Sequence, residues 1–188
     1  MKKMRSTLLA VSAALLLGVV PAITNANPKV NNVSVVNPQL AKKVRHELVT
    51  LPYYGVFDNL AYNISGSTVT LYGQVVQPTT RSGAEKRVKN LAGVSRVVNN
   101  IKVLPLSRFD DDIRVATYRS IARTAGLSRY LRGANPSLHI VVDRGQVTLE
   151  GVVANNSDKA LANMAARGVG GTFGVTNNLR VEGEGNVG

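Results

Sequence analysis

The segment Val69-Thr70-Leu71-Tyr72-Gly73-Gln74-Val75 returns 78 residues later as Val147-Thr148-Leu149-Glu150-Gly151-Val152-Val153. A second segment, Val97-Val98-Asn99-Asn100-Ile101-Lys102-Val103, returns at the same offset as Val175-Thr176-Asn177-Asn178-Leu179-Arg180-Val181. Two separated motifs that share one offset define a duplicated module, because chance similarity does not conserve the spacing between motifs. Whatever fold satisfies one copy must therefore satisfy the other.

Each copy reads as helix, strand, strand, helix, strand. Asn37-Pro38 has the form of an N-cap followed by a first helical residue, and Leu40, Val44, Leu48 and Leu51 then recur on one helical face. Pro52 ends that run, because the residue before a proline is pushed out of the α region. Leu60, Tyr62 and Ile64 alternate, Ser65–Thr68 turns around Gly66, and Val69, Leu71 and Val75 alternate again, which is a hairpin with one buried face. Thr80 to Ala92 forms a helix with Ala84, Val88 and Leu91 inward, and Val97, Ile101 and Val103 form a third strand.

The second copy places Asp110, Asp111 and Asp112 before the stripe Ile113, Thr117 and Ile121, then Leu138, Ile140 and Val142. A helix follows from Ser157 to about Arg167. About five extra residues, around Gly126 to Asn135, separate its first helix from its first strand. The fold class is therefore α+β, with two tandem α-β-β-α-β modules. Each is a three-stranded sheet covered on one face by two helices. The linker Leu104-Pro105-Leu106-Ser107-Arg108-Phe109 is no flexible tether, and Leu104, Leu106 and Phe109 are expected to pack near a contact between the modules.

Residues 1–26 stand apart. Lys2, Lys3 and Arg5 precede the 13-residue apolar run Leu8–Val20, and Thr24 and Ala26 supply small residues for cleavage. That is the layout of a signal peptide, and the run falls short of the ~20 residues a spanning helix needs. Residues 27–36 read as a short leader and 183–188 as a mobile tail. The expected location is the periplasm. With no cysteine, the chain has no disulfide, thiolate metal site, thiol nucleophile or lipidated N-terminal cysteine. Losing residues 1–26 takes the formal net charge from +12 to +9. That charge favours anionic partners, and export turns the expectation from nucleic acid to anionic lipid headgroups or acidic envelope polymers.

These residues carry a resemblance. An initial helix, V-T-L-x-G-x-V, a helix with inward alanines and V-x-N-x-[IL]-x-V together resemble the BON domain, over residues 38–104 and again over 110–182. Gly168-Val169-Gly170-Gly171-Thr172 departs from the single Gly-Val that Gly93-Val94 retains, so the turn there is expected to be looser. The family occurs in osmotic-stress periplasmic proteins, outer-membrane pores and haemolysin-like envelope proteins. Membership implies a transport-associated, membrane-associated module that binds phospholipid or envelope partners and performs no catalysis.

No catalytic constellation appears: there is no Gly-x-Ser-x-Gly, no nucleophile-base pair and no paired carboxylates. Neither an enzyme activity nor a cofactor is expected. His46 reads as a solvated helix residue and His139 as the outward face of a strand, and neither has ligand spacing. Asp110–Asp112 read as a helix cap, Gly73 and Gly151 as places where the second helix approaches the sheet, and Asn99 and Asn177 as asparagines satisfying nearby backbone.

The basic residues are the functional lead. Lys42, Lys43, Arg45, Arg81, Lys86, Arg87 and Lys89 lie on the helices of the first copy. Arg114, Arg119, Arg123, Arg129 and Arg132 crowd the first helix and insertion of the second. Arg119, Arg123, Arg129, Tyr130 and Arg132 are the lipid-binding candidates, since an aromatic among arginines suits a headgroup boundary. Two readings stand for this patch: a contact with an anionic membrane, or a solvated face with Tyr130 and Leu131 in the core. A protein-interaction or scaffolding module is the alternative function.

Overall fold

The computed structural model describes residues 37–183; the segments expected to be a signal peptide, a leader and a mobile tail lie outside the described residues. The first repeat comprises α1 (Pro38–Val49), β1 (Asn59–Ser65), β2 (Thr68–Val75), α2 (Pro78–Lys89) and β3 (Arg96–Val103). The second comprises α3 (Arg108–Arg123), a 3-10 helix (Leu127–Leu131), β4 (Leu138–Asp143), β5 (Gln146–Val153), α4 (Asn156–Arg167), β6 (Gly174–Asn177) and β7 (Arg180–Val181).

The sequence pattern leaves strand order open, and the structure supplies it. β2 is central, antiparallel to β1 and parallel to β3, so α2 is the crossover that a parallel pair requires. β5 is likewise central, antiparallel to β4 and parallel to β6 and β7. The third strand of the second repeat is broken where one strand was expected. Leu149 pairs with Asn177 and Val152 with Arg180, as Leu71 pairs with Asn99 and Gln74 with Lys102, so the register is unchanged across the gap.

Side chains from both helices and the inner sheet face fill each core. Leu40, Val44 and Leu48 of α1 and Ala84 and Val88 of α2 close over Val69, Leu71 and Ile101. Ile113, Ile121, Ala162 and Ala166 close over Ile140, Leu149 and Val153. The Asn37 side chain caps α1 by accepting from Gln39 N and Leu40 N. α2 begins two residues before the expected Thr80, because Pro78 is well placed in a first helical turn, and ends before the turn that contains Gly93.

The repeated asparagines bind helix to sheet in the same way. Asn99 Nδ2 donates to Arg81 O of α2 at 3.2 Å, while its Oδ1 accepts from Ile101 N at 3.2 Å. Asn177 makes the same two bonds, to Lys159 O of α4 at 2.9 Å and from Leu179 N at 3.2 Å. Each therefore satisfies a strand amide and ties it to the crossover helix.

The repeated glycines have a different reason from the one expected. At Gly73 and Gly151 φ is +116° and +118°, and an added Cβ would lie 2.0 Å from Asn59 O and from Ser137 O respectively. The close neighbour is the backbone beginning the edge strand, and the helix plays no part.

Asp110 is likewise no cap. Ser107 caps α3, its Oγ accepting from Asp110 N, and the Asp110 carboxylate is buried, accepting from Arg144 N at 2.9 Å and Gly145 N at 2.8 Å. It pins the β4–β5 turn to the start of α3.

Candidate functional site: the arginine face and the inter-repeat junction

On α3, Ile113, Thr117 and Ile121 face the core, so helical spacing sends Arg119 and Arg123 outward, one turn apart. Both are exposed, and neither makes an ion pair among the described residues. Arg114 differs. It is buried, paired with Asp111, and donates to Val142 O at 2.6 Å, so it belongs to the fold and leaves the basic surface.

The insertion winds into the 3-10 helix, which buries Leu127, Tyr130 and Leu131 and leaves Arg129 and Arg132 outside. Tyr130, expected at a headgroup boundary, is a core residue. Its hydroxyl donates to Asp158 Oδ2 at 2.6 Å and accepts from Ala154 N at 2.9 Å, which ties the insertion to β5 and α4. Arg129 completes the cluster, donating to Asp158 at 2.7 Å and to the Tyr130 hydroxyl at 2.8 Å. The Tyr130 hydroxyl and the Arg129 guanidinium together hold the Asp158 carboxyl below the usual carboxylate range. Arg132 donates to Ser128 Oγ at 2.8 Å. Of the five candidates, Arg119, Arg123 and Arg132 are exposed and have no carboxylate partner among the described residues, Arg129 is exposed but held, and Tyr130 is inside.

At the opposite end of α3 lies an apolar surface. Leu106 is 95% exposed and Phe109 46%, contrary to the expected packing at a contact, while Leu104 is buried. Phe109 stacks on Phe173, itself 71% exposed, with ring centroids 5.7 Å apart.

The two repeats meet elsewhere, through the loop Tyr54–Asp58 between α1 and β1. The Asp58 carboxylate accepts from Gly55 N at 3.1 Å and Val76 N at 2.8 Å, which closes the loop. Val56 O then accepts from Ile140 N at 2.7 Å, so the first repeat covers part of the edge of β4. Phe57 packs edge-on against Tyr118 of α3, 6.3 Å between centroids.

His139 lies within this contact and is buried, which corrects its expected outward position. Strand alternation assumes one solvated face, whereas here the loop covers that face. Nδ1 is 3.2 Å from Gly55 O, a group that only accepts, so the neutral ring carries its proton there. Nε2 then accepts from the Tyr54 hydroxyl at 3.4 Å. Burial lowers the His139 pKa, and burial with the nearby Asp58 charge pushes the Tyr54 phenol up to about 12. Lys102 of β3 and Asp143 of β4 add an ion pair across the junction at 2.5 Å.

Two openings flank the junction. One of ≈540 Å³ has mixed charge, with Arg45, Arg180, Glu150 and Glu182 on its walls. The other, of ≈580 Å³, lies between the loop and the second repeat and is lined mainly by apolar side chains, with Arg119 the one charged residue there among the described residues. Among the described residues no three His, Asp or Glu side chains converge as a metal ion would need, and no helix is long and apolar enough to cross a membrane.

Two equivalent α-β-β-α-β units in tandem define a duplicated α+β module. The BON domain family model matches it twice, at residues 37–105 and 110–183, and the chain belongs to that family. The BON domain is associated with membranes and phospholipid and is generally non-enzymatic. No curated protein sequence matches the chain. Among solved structures it is similar to the C-terminal domain of CdsD, the structural protein of the type III secretion system of Chlamydia trachomatis. That match has 12% identity and a TM-score of 0.28, and covers 78% of this chain and 99% of that one. A second structure of CdsD matches with the same identity and score, covering 95% of its chain. At that level of superposition the likeness carries no functional argument.

Proposed function

We propose that this chain is an exported, non-enzymatic protein that associates peripherally with an anionic phospholipid surface. The observation that carries this reading is the outward face of α3, where Arg119 and Arg123 stand exposed and make no ion pair among the described residues. Arg132 on the insertion extends the face, and the exposed Phe109–Phe173 pair at the far end of α3 offers shallow apolar contact. Each basic residue near an anionic surface contributes roughly 1 kcal/mol, so three or four hold the protein weakly and salt-sensitively, without insertion.

Co-sedimentation of residues 27–188 with phosphatidylglycerol-containing and with phosphatidylcholine vesicles tests this. Binding is expected to the anionic vesicles alone and to fall with salt. The Arg119→Glu/Arg123→Glu variant loses two contributions of roughly 1 kcal/mol and gains repulsion, a loss of at least about 30-fold. Full affinity in a folded double variant overturns the proposed contact.

A second reading, recognition of an envelope protein, has its own observation in the mixed-charge ≈540 Å³ groove between the repeats. It predicts binding to a protein partner that is indifferent to lipid composition. Failure of the chain to bind any vesicle at low salt favours it.

A further inference from the structure

The ≈580 Å³ opening beside the junction differs in chemistry from its neighbour. Val56 and Phe57 of the first repeat and Val115, Tyr118 and Leu131 of the second give it an apolar lining, and Arg119 is its only charged residue among the described residues. The volume falls within the ~300–1,000 Å³ typical of small-molecule sites, which are mostly apolar with a few placed polar groups. Val115 remains 39% exposed there, and Phe57 and Tyr118 are half-buried, so the protein itself leaves this apolar lining partly uncovered. Arg119 has no carboxylate partner among the described residues.

One unpaired cation beside an uncharged apolar groove is complementary to a molecule with one anionic head and one hydrocarbon chain. We propose that this groove binds a single acyl chain of an anionic phospholipid, with the phosphate at Arg119. The proposal rests on the membrane-surface reading and deepens it. Arg119 lies on the outward face of α3, so a lipid whose head it holds can place one chain between the repeats. Burying the chain removes apolar surface of both lipid and protein from water, a gain roughly proportional to the area covered. Both repeats contribute to the lining, so the site exists only in the tandem arrangement.

Residues 27–188, which carry the described compact body, are titrated with lysophosphatidylglycerol below its micelle concentration and followed by amide chemical shifts. Saturable one-to-one binding is expected, with shifts at Val56, Val115 and Tyr118. Glycerol 3-phosphate separates the head from the chain and should bind at least tenfold more weakly, as should zwitterionic lysophosphatidylcholine. Ala134→Trp, at the groove wall, fills the space while leaving Arg119, and Val115→Asp sets a carboxylate in the apolar mouth. Each should weaken lysophosphatidylglycerol binding at least tenfold, with circular dichroism confirming the fold. The absence of saturable binding, wild-type affinity in both folded variants, or equal affinity for glycerol 3-phosphate overturns the proposal. Vesicle binding separates the two readings. Salt-sensitive co-sedimentation with no lysolipid titration defeats the groove alone, and lysolipid binding without vesicle binding defeats the surface alone.

Discussion

Replacing Gly151 with alanine tests the tightest point of the repeated motif. The new Cβ would lie 2.0 Å from Ser137 O and 3.0 Å from Ser137 C, on a backbone with φ of +118°. Relief requires the Ser137 carbonyl to move by more than an ångström. That carbonyl accepts from Val152 N at 2.8 Å, and the next residue, Leu138, is fully buried. Three costs follow: about 1–3 kcal/mol for the backbone conformation, about 1 kcal/mol for the hydrogen bond and about 1–3 kcal/mol for the displaced core residue. Since relaxation shares these, a loss of about 3–5 kcal/mol is expected, a large part of the ~5–15 kcal/mol that a domain has. Thermal melting by circular dichroism should fall by roughly 6–20 °C at this chain length. Gly168→Ala is the control, since φ there is −75° and the nearest neighbours of a Cβ lie at 3.6 and 3.7 Å. It should stay within about 1 kcal/mol of the wild type. Gly73→Ala should match Gly151→Ala, because its geometry is the same. A Gly151→Ala protein melting within about 2 °C of the wild type refutes the reasoning.

Two further outcomes are expected. Burial lowers the His139 pKa in the folded state, so below about pH 6.5 the unfolded chain binds more protons. Its contribution is complete above that pH and is lost as pH falls towards the folded value, with a slope of at most ~1.4 kcal/mol per unit. Asp58, raised by burial, acts with the opposite sign, so the difference between wild type and His139→Gln in urea denaturation across pH isolates the histidine. A pH-independent difference would sink this assignment. Asp110→Ala leaves the amides of Arg144 and Gly145 without their acceptor and should cost about 2–3 kcal/mol in the same assay, whereas an exposed capping residue would cost nearer 1 kcal/mol.

The duplication made much of the fold legible, because residues 78 positions apart do the same work down to single bonds: Arg81 and Lys159 supply the carbonyls that Asn99 and Asn177 reach. Helical spacing was enough to place Arg119 and Arg123 outside. What stayed hidden depends on non-local partners. Tyr130 was indistinguishable from a surface aromatic until α4 brought Asp158 to its hydroxyl, and Arg114 from a surface arginine until Val142 O appeared beside it. His139 alternates correctly for an exposed strand position, and only the loop around Val56, whose residues have no periodicity of their own, covers it. The junction groove was invisible for the same reason, since its walls come from both repeats.

Asp58, Asp110 and Asp158 are all buried, accepting from backbone amides or, in Asp158, from the Tyr130 hydroxyl and Arg129 as well. Among the described residues these three carboxylates are turned inward against one buried cation, Arg114, so the surface is more cationic than a simple count of charges implies. This sorting also divides what natural variation can reach. Exposed arginines such as Arg119 and Arg123, tied to no internal carboxylate, can be exchanged within about 0.5 kcal/mol of neutrality for the fold. Attraction to anions can thus drift strongly between descendants of one fold while thermal stability stays level. Arg129, bound to Asp158, is an exposed residue at which the two would change together.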